Sequence, residues 1–134
     1  MTALPTLLII SSVIFEIAVA VALAAYLITN ANVSARSSAE ALSAAQAGAN
    51  DAAIRIARNK SYEATTGYSF VVGSSTVNVV VTANTGQGGG AATGKTRVLS
   101  TGTTKNFSKR IEAVYTINDN TGELTLESYE ETAI

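Results

Sequence analysis

LPTLLIISSVIFEIAVAVALAAYLIT, residues 4–29, decides how this chain is built. It is apolar almost throughout and carries a single charge, Glu16. A bilayer-spanning helix needs about 20 predominantly apolar residues, and this stretch has enough. From Thr6 to Ala47 there is neither Pro nor Gly, so nothing breaks a helix where the greasy stretch ends. The pattern predicts one helix from Thr6 to Arg58, apolar in its first half and amphipathic in its second. Pro5 stands where a first helical turn tolerates proline, and Tyr26 is placed for an interfacial anchor.

The second half, residues 31–58, is rich in Ala and Ser. Positions 35, 39, 42, 46, 49, 53 and 56 keep a 4-3 spacing and are apolar except Gln46. Leu42, Ala45, Ala49, Ala53 and Ile56 are the expected packing residues, against the chain's own sheet and against neighbouring copies. Small side chains on several faces permit close helix approach. Arg36/Glu40 and Asp51/Arg55 are four residues apart on the wetter side, each pair worth about 0.3 kcal/mol.

After Asn59 the period changes to two. Tyr68, Phe70 and Val72 alternate with polar residues, as do Val77, Val79 and Val81. In the best run Phe107, Ile111, Ala113, Tyr115 and Ile117 share one face, with Ser108, Arg110, Glu112 and Thr116 on the other. Asn-Asp-Asn-Thr-Gly at 118–122 is a hairpin signal before Leu124 and Leu126. Val98 and Leu99 suggest a further strand. The expectation is an α+β chain in three zones: an apolar helix at 1–30, its amphipathic continuation at 31–58, and a β-rich head at 59–134. Four or five short antiparallel strands would turn one face to the helix and the other to solvent.

Composition narrows the chemistry. The 134 residues hold nine basic and ten acidic side chains, a net charge of −1, which argues against nucleic acid or anionic lipid as the main partner. There is no Cys and no His, which excludes disulfides, thiolate and imidazole catalysis and His/Cys metal sites. The apolar core exceeds the 7–15 residues of a cleavable signal, and the first basic residue, Arg36, lies beyond it. By the positive-inside rule Arg36 would put a Ser/Thr/Gly-rich head in the cytoplasm. That conflict is resolved if a basic leader preceded Met1, which makes the chain a mature form.

A long apolar N-terminal helix with one embedded Glu, an amphipathic second half and an antiparallel head resemble the type IV pilin superfamily. Met1-Thr2-Ala3-Leu4 looks like the end left by prepilin peptidase, which would imply an N-methylated first residue. AEALSAAQAGANDAAIRIAR, residues 39–58, is similar to the same region of minor-pilin-like proteins of small-genome bacteria. The likeness implies a cell-surface filament subunit, reaching its place through the cytoplasmic membrane. Adhesion, motility, DNA uptake and cell–cell contact are all compatible with it. It further implies a homopolymer raised by separate assembly machinery, with no catalysis and no cofactor in this chain.

Two departures stand out. The family's N-terminal glutamate, which pairs with a neighbour's amine during assembly, is replaced here by Pro5, so Glu16 must be judged on physics. A carboxylate unpaired in hydrocarbon costs several kcal/mol and is usually functional. Glu16 could meet the Met1 amine of a neighbour offset by about 20 Å, fifteen residues at about 1.5 Å each. It could also meet a neighbour's Ser11 or Ser12, bond its own helix when protonated, or serve a water-filled or other role. The second departure is the missing helix breaker, which predicts a helix without an unwound segment in the assembled state.

Other motifs have plainer readings. Gly89-Gly90-Ala91-Ala92-Thr93-Gly94-Lys95-Thr96 matches a P-loop pattern, but a P-loop must open a helix and the following residues are β-prone. A Gly-rich hairpin loop at 83–95 is the expectation, with Lys95-based nucleotide binding the rival. Asn32, Asn59 and Asn106 begin glycosylation-type triplets of a kind common in such compositions. The acidic run Glu127-Ser128-Tyr129-Glu130-Glu131 lacks the loop spacing of a calcium site and reads as a solvated strand end. A single-pass envelope protein that never polymerises remains the other rival.

Overall fold

The computed structural model describes residues 3–105 and 107–134, with side chains described from Pro5 onward. Met1 and Asn106, singled out above, lie outside the described residues. The chain comprises a helix, α1 (Ala3–Arg58), and five strands: β1 (Ala64–Val72), β2 (Ser75–Thr85), β3 (Ala91–Thr104), β4 (Phe107–Ile117) and β5 (Leu124–Thr132). A short 3₁₀ turn, Gln87–Gly89, sits between β2 and β3. The fold is α+β. Two compact units divide it, Met1–Arg36 and Ser37–Ile134.

Within the second unit the strands form an antiparallel meander in the order β1-β2-β3-β4-β5. Each hairpin has a local cause. Val72 pairs with Ser75, and the two-residue link begins at Gly73, with φ 60; a primed hairpin turn demands such a value there. In the β4–β5 link the Asn118 side chain accepts from the amides of Asn120 and Thr121, at 3.0 and 3.2 Å. That is an Asx turn.

Residues 37–58 of α1 lie on this sheet along a stripe of small residues. Ser37, Ala41, Ala44, Ala45, Gly48, Ala49, Ala52 and Ile56 are buried. Opposite them, Val77, Val79, Val81, Val98, Ala113 and Tyr115 gather around Ala44, Ala52 and Ile56, while Ile111 packs with Ala45 and Ala49. Backbones come close. A Cβ added at Gly102 would collide with the Ala41 carbonyl and come within 2.7 Å of the Ala45 nitrogen. One added at Gly48 would lie 2.5 Å from Val77 Cγ1 and 2.9 Å from Val79 Cγ2, and would also strike Ser100 Oγ.

Three expectations are corrected here. Ala35, Ala39 and Gln46 of the anticipated stripe are exposed, because the true stripe is rotated towards Ala41, Ala44, Gly48 and Ala52. The loop expected at 83–95 shrinks to 86–90, since β2 and β3 extend towards each other until Thr85 pairs with Ala91. Finally, the face away from the helix is not simply solvated: Glu112 and Val114 are buried.

At one margin of the helix–sheet contact, Tyr68 donates to Asp51 Oδ2 at 2.7 Å, and Arg55 Nε reaches the same oxygen at 2.7 Å. The Arg55 guanidinium lies 4.3 Å from the Tyr68 ring centre, a cation–π contact. Burial works against the Asp51 carboxylate, but the Tyr68 and Arg55 hydrogen bonds outweigh it and hold its pKa below the usual range. Burial, then the bond to Asp51, pushes the Tyr68 hydroxyl up.

Candidate membrane and assembly segment

The first unit is helical from Ala3, and among its described residues none from 5 to 33 is buried. Among the described residues, fourteen large apolar side chains from Leu7 to Ile28 are exposed. Leu7, Leu8, Ile9 and Ile10 are consecutive and each more than half exposed, which leaves no face covered. A helix apolar all round belongs in lipid or inside a larger core. This is also the one helix in the described residues long and apolar enough to cross a membrane. Membrane association follows from that character.

Pro5, Ser11, Ser12 and Glu16 are all exposed on this helix. Ser11 donates to the Leu7 carbonyl at 2.7 Å, so its proton is already used within its own turn. Thr29 and Ser34 do the same towards Ala25 and Asn30, at 2.9 and 3.0 Å. Ser12 precedes Glu16 by four residues and therefore shares its side of the helix. Glu16 has no hydrogen-bond or ion-pair partner among the described residues. Its acceptor capacity is open to another molecule.

Of the expected packing residues, Ala45, Ala49 and Ile56 are buried in the head, while Leu42 and Ala53 are half-buried beside them. Their contacts are with the chain's own sheet. The P-loop-like segment does not open a helix: Ala91–Thr104 is strand, Lys95 pairs in register with Thr116, and its amine contacts Glu127 at 2.5 Å. Asn59 spends its side-chain oxygen on the Ser61 amide at 3.1 Å. The acidic run belongs to β5, where Glu131 meets Lys109 at 2.5 Å. No cluster of metal-ligating side chains occurs among the described residues.

Sequence reasoning missed the Arg97–Glu112 pair. Arg97 donates from Nε and Nη2 to the two Glu112 oxygens, both at 2.9 Å. That guanidinium, opposed by burial and helped by the Gly88 amide, holds Glu112 below the usual carboxylate range. A charged residue at an outward strand position was the available signal, and it pointed to solvent.

No family model, curated protein or solved structure matches this chain. The long N-terminal helix and small antiparallel sheet are compatible with a pilin-like fold.

Proposed function

We propose that the chain is a structural subunit of a type IV pilus-like filament at the cell surface, built by lateral packing of N-terminal helices from identical copies. The membrane holds the subunit before assembly. The observation that carries this reading is a helix exposing apolar side chains on every face while bearing one carboxylate, Glu16, without a partner among the described residues. Lipid alone would accept the apolar surface. It would not accept Glu16, whose charge in hydrocarbon costs several kcal/mol without a partner. A bundle of copies supplies one, through a neighbour's N-terminal amine or its Ser12 hydroxyl.

In the rival single-pass anchor Glu16 would have to bond its own helix in protonated form or stay unmet. Because the chain lacks cysteine, single substitutions such as Val19→Cys and Leu23→Cys report contacts without interference. Oxidation of cells or shed material should give disulfide-linked dimers of neighbouring copies. Monomers alone at every position from 10 to 27 would contradict assembly through this segment.

A further inference from the structure

The face of the sheet away from α1 holds two buried side chains, Glu112 at 4% and Val114 at 1% exposure. Strand alternation places both opposite to Ile111, Ala113 and Tyr115, which face the helix. The end of the β2–β3 hairpin lies over Glu112, and Gln87 shares a cleft with Val114. The β2–β3 register breaks between Ala83 and Thr85, and Asn84 and Gly94 adopt left-handed φ values of 53 and 75. The hairpin end thus leaves the line of the sheet, and the 3₁₀ turn comes to lie against β4. There the Gly88 amide donates to Glu112 Oε1 at 2.7 Å, and Gln87 Nε2 donates to Glu130 Oε2 at 2.8 Å.

No residue of Gln87–Gly89 is itself buried, although Gly86 beside it is; the turn's own hold on β4 and β5 is made by hydrogen bonds and charge. Glu112 also faces Glu130, its register partner on β5, and Arg97 from β3. A cleft of about 580 Å³ adjoins the turn, lined by Gln87, Lys95, Val114, Glu127, Ser128 and Glu130.

We infer that residues 84–94 form a flap latched to the outer face by the Glu112 carboxylate, opening at Asn84 and Gly94 while the sheet beneath stays folded. Opening uncovers Val114 and widens the cleft. This device does not depend on whether the chain polymerises.

The full chain in detergent, otherwise free of thiols, allows a direct test. Val114→Cys places a thiol beside the flap, and Val79→Cys places one under the helix, where Val79 is 0% exposed. In native buffer Val114→Cys should react with a thiol reagent at least about tenfold faster than Val79→Cys, as local opening requires. Adding Glu112→Gln should raise the first rate by about another tenfold. Equal rates at the two sites in the chain that keeps Glu112, or no effect of Glu112→Gln on the Val114→Cys rate, would overturn the flap. Amide exchange of the unsubstituted chain gives an independent reading: Gly88 should exchange well before Val98, and simultaneous exchange would refute a separate opening.

Discussion

Two glutamates show what a single residue does here, and only one of them could be read in advance. Glu16 stands out in sequence because its surroundings are apolar for a full span. Glu16→Leu should cut the yield of surface filaments at least about tenfold while membrane-inserted chain persists, since the cost of an unmet intramembrane acid is then traded for lost pairing. Filaments at normal yield would remove Glu16 from assembly. Glu112 was illegible as a buried group, because its cover comes from Gly88, 24 residues upstream. Its pKa and that of Asp51 are lowered in the fold. Carboxylates of this kind stabilise the folded state above the ordinary value of about 4 and lose that contribution as pH falls through the folded pKa. The thermal stability of the head should therefore fall below about pH 4, and Glu112→Gln should flatten that acid limb. An acid limb identical in the substituted chain would show that Glu112 plays no part in it.

At the scale of elements, the contact between residues 37–58 and the sheet is set by what is missing. Gly102 and Gly48 let the helix backbone approach β2 and β3, and alanines fill most of the remaining stripe. Gly102→Ala should destabilise the head by about 1–3 kcal/mol, because the obstacles are backbone atoms that cannot rotate away. Ile56→Ala, by opening a cavity, should cost about 2–5 kcal/mol. Denaturant unfolding of the full chain in detergent measures both, and a change under about 0.5 kcal/mol for Gly102→Ala would contradict the close-packing account. The helix and the strands were legible from period and breakers. The phase of the helix was not, since alanines on nearly every side carry no directional signal and the interface admits Ser37 and Gly48. The reach of β2 and β3 into a Gly-rich segment was also hidden, because cross-strand pairing rather than local preference extends them.

For the molecule as a whole, the deciding quantity is the apolar surface between Leu7 and Ile28. Fourteen large side chains, each worth about 1.5 kcal/mol on losing water, amount to on the order of 20 kcal/mol. No free monomer in water offsets a term of that size, so the segment requires lipid or an apolar partner surface. Lipid and polymer satisfy the apolar area alike, and the carboxylate within it distinguishes them. Helical reconstruction of filaments from the surface of cells making this protein tests the distinction most directly. Residues 5–28 of neighbouring copies should pack side by side along the filament axis, helical throughout, with Glu16 against a neighbour's amine or hydroxyl. Fibres whose interior lacks these segments, or cells that carry the protein only as separate membrane-bound monomers, would contradict it.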